Sequence, residues 1–163
     1  MEPEPPTNAT RERPHTESSY GIPEDEDGLL PWEFVATRLR EHRTVWLSTT
    51  RPDGTPHARP VWGVFVDGTF YCGGGERTWW VRNLATNPAA VVHGESGDEV
   101  VIVEGTANRI DDGTGNPGLV DRLNAAYREK YGIEHGTPFF AIRPERVLAW
   151  HDYPDDATRW TFA

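Results

Sequence analysis

Short apolar-rich runs separated by tight-turn signals fill residues 44–110, and this alternation constrains the fold more than any other feature of the chain. The turn signals are PDG at 52–54, DG at 67–68 and SGD at 96–98, which favour short hairpin loops. Strands are expected at about 44–50, 57–66, 69–73, 89–95 and 99–110. Strands joined by such loops are antiparallel, so the sequence predicts an antiparallel sheet curled into a barrel.

Helical signals predict three helices around this sheet. The first begins at Pro31 and ends near His42, and a short second helix follows a glycine loop with Thr78 as its N-terminal cap. The third opens at Asn116-Pro117 and ends at a left-handed Gly132. Further short strands are expected at 139–142, 147–150 and 159–162.

The first 28 residues differ from the rest in composition. They contain eight acidic residues against two arginines, a net −6 of the chain's −10, and few aliphatic side chains. Such a segment cannot bury enough apolar surface to order itself. Residues 1–28 are therefore predicted to be a disordered tail, and residues 29–163 a single domain with a substantial core.

Composition and spacing argue against several functional classes. An acidic body disfavours nucleic acid as a partner, because phosphate backbones are bound by clustered Lys and Arg. A single cysteine, with no signal-peptide segment and no run of membrane length, predicts a cytoplasmic protein without a membrane partner. The six histidines lack metal-ligand spacing and no serine lies in a GxSxG elbow. An organic cofactor is therefore the expected source of any chemistry.

The glycine loop Gly73-Gly74-Gly75, the helix that follows it and the second predicted strand carry the candidate binding residues. Glycines let backbone amides approach a ligand, and the helix start attracts an anion that the Thr78 hydroxyl also reaches. Arg59 in mid-strand adds a guanidinium, and Arg82 adds a second cation. The alternatives are a plain glycine turn, a solvated Arg59 and an ion-paired Arg82. A dinucleotide fold is excluded, because its glycine loop follows a strand of a parallel unit.

Three tryptophans bracket the glycine loop. Trp80 shares an apolar helical face with Val81 and Leu84, which favours the core. Trp79 points elsewhere, toward a partner subunit or a flat ring, and Trp62 precedes the loop.

An ordered set of motifs points to a known family. The motifs are GxPxxRPVW at 54–62, DGTFY at 67–71, TxxxRNLxxNP at 78–88 and VVIVEGTA at 100–107. Together they resemble the pyridoxamine 5′-phosphate oxidase-like split-barrel superfamily, in particular its small actinobacterial-type members that use FMN or a deazaflavin. The resemblance covers about residues 29–150 and implies a mainly β fold. It implies a six-stranded antiparallel split barrel with flanking helices, which forms a homodimer with cofactors between the subunits.

The resemblance also implies roles for individual residues. It places Arg59 and Thr78 at the cofactor phosphate, and Trp62 on the strand that lines the ring system. The full set of implied or candidate cofactor-binding residues is Arg59, Pro60, Val61, Trp62, Tyr71, Cys72, Thr78, Trp79, Trp80 and Arg82. The sequence departs from the family at Trp79-Trp80, where Arg-Lys is usual, and at Val64, where a lysine is frequent. Pyridoxamine phosphate oxidation itself is not expected, because the substrate-binding Arg and His of that enzyme have no counterpart near the C-terminus.

The sequence therefore predicts an FMN-dependent oxidoreductase that transfers hydride to a small substrate. A reductase that uses the deazaflavin coenzyme F-420 is one alternative. The other is a non-catalytic split-barrel dimer that binds a flat ligand or a partner protein, and Trp79-Trp80 in place of two cations favours it. Haem bound through His57 or His93 is a version of this second alternative.

Overall fold

The computed structural model describes residues 8–163, which form nine strands and three α-helices. In chain order these are β1 Ala9–Glu12, α1 Trp32–Glu41, β2 Val45–Thr50, β3 Pro56–Val61, β4 Val64–Val66, β5 Thr69–Gly73, α2 Trp79–Thr86, β6 Ala89–His93, β7 Val100–Ile110, α3 Leu119–Tyr131, β8 Phe139–Trp150 and β9 Thr158–Phe162. A single turn of 3-10 helix, Ser18–Tyr20, precedes α1. The fold is mainly β, as predicted. No helix in the described part of the chain is long and apolar enough to cross a bilayer.

All nine strands belong to one antiparallel sheet. The strand order is β1-β9-β8-β7-β6-β2-β3, with β5 paired to β8 and β4 paired to β5. β8 divides the sheet, since residues 139–142 pair with β5 and residues 146–149 pair with β9. β3 and β4 follow one another in sequence yet lie at the two ends of one path through the sheet. This arrangement is consistent with the predicted split barrel, extended here by β1 and β9.

The strand predicted over residues 57–66 is interrupted at Trp62-Gly63. A Cβ on Gly63 would lie 2.2 Å from a ring carbon of Phe70 and 2.7 Å from the carbonyl oxygen of Tyr71. The chain therefore passes β5 at a distance that only glycine allows. Before the break β3 pairs with β2, and after it β4 pairs with β5. The third predicted strand, β5, thus pairs with residues 64–66 of the long second predicted strand and not with the part that carries Arg59.

Two apolar clusters fill the interior. The larger includes the buried faces of α1, α2 and the sheet, with Trp32, Leu47 and Trp80 among its members. The second lies under α3 and includes Leu123 and Tyr127. α1 lies within one residue of its predicted bounds, and α2 begins directly after its predicted cap, Thr78. The third begins at Leu119 because Gly118 takes a left-handed conformation at its start, with φ 78°.

The N-terminal segment departs from the prediction. β1 pairs with β9 along four residues, and Arg13 is only 8 % exposed. The Arg13 guanidinium donates to the backbone carbonyls of Asp25, Asp27, Asp155 and Ala157. The disordered-tail prediction is therefore wrong for residues 9–13, and its residues 1–7 lie outside the described part of the chain. The prediction relied on the low apolar content of this segment. The segment is held instead by backbone pairing with β9 and by the hydrogen bonds of the Arg13 guanidinium.

Candidate functional site

α2 and Arg59 lie on the same side of the sheet. α2 packs against β2 and β3. Along β3, His57 and Arg59 stand opposite Thr49 and Leu47, which are both buried on the inner face of β2. Residues directly opposite in an antiparallel pair share a face, so the Arg59 side chain starts from the face that α2 covers.

The start of α2 offers unpaired backbone donors. Thr78 precedes the first helical residue, and its hydroxyl donates to the Gly75 carbonyl oxygen at 2.8 Å instead of capping a helix amide. The amides of the first turn have no partner inside the helix, and the helix dipole adds partial positive charge there. No heavy atom lies within 4 Å of the position that a Cβ on Gly75 would take. The loop therefore has open space beside the helix start.

A buried polar cluster joins β2, β3 and α2 beside Arg59. It consists of Thr49, His57 and Asn83, and the Asn83 amide donates to the Thr49 hydroxyl at 3.1 Å. His57 is 3 % exposed and Asn83 is 1 % exposed. Within the described residues, both ring nitrogens of His57 and the carbonyl oxygen of Asn83 have no hydrogen-bond partner. Buried polar atoms are nearly always paired with protein or with ordered water, so these atoms are candidates for contact with a ligand or a water molecule. Glu33, Arg38, His42, Arg159 and Trp160 carry such atoms elsewhere in the described residues.

Electrostatics keep His57 neutral. Burial lowers the pKa of His57, and the nearby guanidinium groups of Arg59 and Arg51 lower it further. A neutral imidazole presents one N–H donor and one acceptor nitrogen. The cluster thus offers hydrogen bonds of both kinds without adding charge.

The glycine loop also carries a carboxylate, on Glu76. Arg109 on β7 donates to it, with one bond of 3.0 Å, and also to Asp111 at 2.8 Å. The hydrogen bond from Arg109 lowers the pKa of the Glu76 carboxyl, so this group is ionised near neutral pH. The ion pair between Glu76 and Arg109 matters because an unpaired carboxylate in this loop would repel an anion at the start of α2.

Trp62 lies at the break between β3 and β4 and is 40 % exposed. Its ring stacks on Tyr131 with centroids 4.5 Å apart and planes at 2°. The guanidinium carbon of Arg43 is 5.0 Å from the Trp62 centroid and 5.4 Å from the Tyr131 centroid. These distances place Arg43 beside the pair, between the two rings. The face of Trp62 that points away from Tyr131 is therefore covered by neither residue.

Other predicted site residues are buried. Cys72 has no exposed surface, and burial raises the pKa of its thiol to about 12. Trp80 packs edge-on against Phe140 at 5.2 Å, which agrees with its expected place in the core. Cys72 is fully buried and Trp80 is 6 % exposed, and their expected contact with a cofactor stays a prediction. Tyr71 is 8 % exposed and lines a different, open groove of about 1190 Å³ beside Asn108.

The remaining predicted residues lie on β3 and α2 or just outside them. Arg59 and Pro60 are exposed, and Val61 is 9 % exposed. Trp79 is 59 % exposed, with the Arg82 guanidinium 5.3 Å from its ring centroid. Within residues 8–163 no carboxylate pairs with Arg59 or Arg82. Both guanidinium groups therefore stay available to an anionic ligand.

Sequence reasoning missed the buried cluster as a site. His57 was considered only as a haem ligand, although it alternates with Arg59 on β3 and so shares its face. Asn83 stands three residues after Trp80, on the apolar face of α2, where a polar residue is unusual. The alternation of His57 with Arg59, and the position of Asn83 three residues after Trp80, were the sequence signals that could have indicated this cluster. Within the described residues, no group of three or more His, Cys, Asp or Glu side chains is arranged to hold a metal ion.

Comparison with known proteins places the chain in a family. The family model for pyridoxamine 5′-phosphate oxidase matches residues 32–151. The chain belongs to this family. No curated protein matches it significantly.

Several solved structures share the fold of this chain. The conserved hypothetical protein Rv2991 from Mycobacterium tuberculosis is 20 % identical with a TM-score of 0.64, over 79 % of this chain and 89 % of that one. A haem-binding protein from Mycobacterium smegmatis is 19 % identical with a TM-score of 0.59, over 79 % of this chain and 55 % of that one. An F-420 reductase is 22 % identical with a TM-score of 0.53, over 68 % of this chain and 93 % of that one. Identities this low establish the fold alone.

Proposed function

We propose that this member of the pyridoxamine 5′-phosphate oxidase family is an FMN-dependent oxidoreductase that acts on a small substrate. The observation that carries the proposal is the buried, unpartnered polar cluster of His57 and Asn83, next to Arg59 and under α2. Bound FMN supplies hydride transfer at its central ring, so the protein needs no dedicated acid or base. The chain's own task is to bind and orient the cofactor and to exclude water.

The residues present fit a phosphorylated, hydroxylated ligand. Arg59 and the amides of the first turn of α2 would hold the phosphate, with Thr78 beside them. The unpartnered polar atoms of His57 and Asn83 are buried beside Arg59, and they would offer a donor and acceptors to hydroxyl groups of a ligand whose binding opens this cluster. The uncovered face of Trp62 would receive the flat ring.

The departures from the family pattern lower the expected affinity. Val64 is 3 % exposed in the core, so no cation is possible where the family frequently has a lysine. Trp79 and Trp80 remove two further cations next to Thr78. Each lost charge-assisted hydrogen bond is worth roughly 1.5–3 kcal/mol, so FMN is expected to bind more weakly than in a family member with all three cations.

Two other functions remain as candidates because specific observations favour them. The similar fold of an F-420 reductase, together with the missing cations, favours a deazaflavin-dependent reductase. The similar fold of a haem-binding protein favours a non-catalytic ligand-binding dimer. For haem, His93 is better placed than His57, because His57 is almost completely buried. The His93 Nδ1 atom, however, already lies 2.6 Å from the Gly94 carbonyl oxygen.

We further propose that the protein is a cytoplasmic homodimer. The outer face of β2 and β3 carries Trp46, 39 % exposed, directly opposite Pro60. This apolar surface would be covered by a second copy of the chain. Light scattering on the purified protein tests this assembly, and a molar mass near 18.4 kDa would contradict it.

A binding titration tests the cofactor. FMN, coenzyme F-420 and haem are titrated separately into the wild type, Arg59→Ala and the control Arg122→Ala, an exposed arginine on α3. We expect FMN to bind the wild type and Arg59→Ala to raise its Kd at least about tenfold, while Arg122→Ala leaves it unchanged. F-420 binding without FMN binding supports the deazaflavin reductase. Haem binding alone, or no binding, contradicts the oxidoreductase proposal.

A further inference from the structure

One hydroxyl group of α3 connects two parts of the candidate site. Tyr127 has no exposed surface, and its hydroxyl donates to the carbonyl oxygen of Trp62 at 2.9 Å. The same hydroxyl accepts a hydrogen bond from the amide of Gly73, also at 2.9 Å. Trp62 follows β3 and Gly73 ends β5, where the glycine loop begins. Tyr127 therefore fixes the position of Trp62, after the end of β3, relative to Gly73, where the glycine loop begins.

A second tyrosine of α3, Tyr131, hydrogen-bonds to the backbone at the break between β3 and β4. The Tyr131 hydroxyl accepts a hydrogen bond from the Gly63 amide at 2.9 Å. Its own proton is shared between the carbonyl oxygens of Arg43, at 2.7 Å, and Gly63, at 2.9 Å. The ammonium group of Lys130 also donates to the Gly63 carbonyl oxygen, at 2.8 Å. The amide and the carbonyl oxygen of Gly63, at the break between β3 and β4, are thus both hydrogen-bonded.

The ring of Tyr131 restricts Trp62 further. Stacking at 4.5 Å and 2° fixes the plane of the indole and covers one of its two faces. Burial raises the pKa of Tyr127 and of Tyr131, so both hydroxyls keep their protons at neutral pH. Holding a contact residue in one orientation before binding lowers the entropy that the ligand must remove.

We propose that Tyr127 and Tyr131 are positioning residues of the ligand site, which present the open face of Trp62 to a flat, conjugated ring. The inference rests on the proposed function, because it takes the ligand to be a flavin or a deazaflavin. It makes α3 part of the binding machinery, although α3 carries none of the cofactor-binding residues predicted from sequence. Neither tyrosine touches the ligand, and both act through Trp62 and Gly73.

The test measures Kd and the fluorescence of bound FMN or coenzyme F-420. An indole stacked on a flavin quenches its emission, so emission at saturation reports the orientation of Trp62 independently of affinity. The variants are Trp62→Leu, Tyr127→Phe, Tyr131→Phe and the pair Trp62→Leu with Tyr131→Phe. The control is Tyr153→Phe, whose ring contacts Trp150 at 5.3 Å in the connection from β8 to β9. Thermal melts confirm that each variant is folded.

We expect the bound ligand to be quenched in the wild type and bright in Trp62→Leu. Tyr131→Phe should raise Kd by about threefold to tenfold and restore part of the emission, and Tyr127→Phe should do so at least as strongly. Adding Tyr131→Phe to Trp62→Leu should raise Kd no further, because Tyr131 acts through Trp62. Tyr153→Phe should change neither quantity.

Two results would overturn the positioning role while leaving the proposed function intact. One is equal emission of the bound ligand in the wild type and in Trp62→Leu. The other is an effect of Tyr131→Phe on Kd that persists undiminished in the Trp62→Leu background. A wild type that binds neither ligand overturns the proposed function, and the positioning role with it.

Discussion

The two helices that flank β3 and the break after it differ in how their polar groups are satisfied. On the α3 side, the hydroxyls of Tyr127 and Tyr131 each hydrogen-bond to more than one backbone group. On the α2 side, buried atoms of His57 and Asn83 have no partner within the described residues. A framework that only has to be stable pairs its buried polar atoms, whereas a binding surface keeps them for a ligand. The comparison supports the two proposals, that α3 supports the site and that the face of β3 under α2 contacts the ligand.

The largest expected effect is on the supporting side. Tyr127→Phe keeps the ring but leaves the Trp62 carbonyl and the Gly73 amide without their partner. An unpaired buried group costs about 1–3 kcal/mol, so the free energy of unfolding should fall by about 2–4 kcal/mol. Urea denaturation measures this, with Tyr153→Phe as the control. If Tyr127→Phe lowers the free energy of unfolding no more than Tyr153→Phe does, the contrast between the α3 side and the α2 side is contradicted.

A smaller change, of opposite sign, is expected on the binding side. His57→Phe replaces a buried imidazole that has no partner by an apolar ring. Removing an unsatisfied polar group should leave the free energy of unfolding unchanged or raise it by up to about 1 kcal/mol. The same variant should weaken FMN binding in titration. Destabilisation as large as that of Tyr127→Phe would show that His57 is a packing residue.

The pH dependence of stability sharpens the same contrast. Because burial lowers the folded-state pKa of His57 below its ordinary value of 6.5, the unfolded chain binds a proton that the folded chain does not. Between that value and the lower folded-state pKa, stability therefore falls as the pH falls, and above 6.5 His57 has no effect. His42, whose pKa burial also lowers, adds a drop of the same sign. Urea denaturation over this pH range should show that the free energy of unfolding falls less for His57→Phe than for the wild type. An equal fall in both proteins would contradict this effect of His57.

The smallest effect is expected at the exposed pair of Glu76 and Arg109. Arg109→Ala leaves the Glu76 carboxylate unpaired beside the start of α2, and should raise the Kd for FMN by no more than about threefold. Glu76→Gln removes the negative charge and should leave the Kd unchanged or slightly lower. Titration at low and high salt checks this, since screening should reduce the effect. A larger Kd in Glu76→Gln would place the carboxylate among the ligand contacts.

Local sequence signals were enough for most of the elements. The turns at 52–54 and 67–68 and the alternation of buried and exposed residues along β2 gave the hairpins. Turn residues and side-chain periodicity act over a few neighbouring positions, so they can be evaluated from the chain alone. The same holds for α1, α2 and the left-handed stop at Gly132.

The sequence by itself determined the class of fold and the positions of the hairpins. Only the tertiary structure decided that Arg13 joins residues 142 or more positions away, that the long second strand breaks at Trp62-Gly63, and that His57 and Asn83 are buried without partners. It also brought Tyr127 to Trp62, which is 65 positions distant. Periodicity shows which face a residue occupies, but a hydrogen-bond partner from a distant segment is specified only when the sheet has assembled.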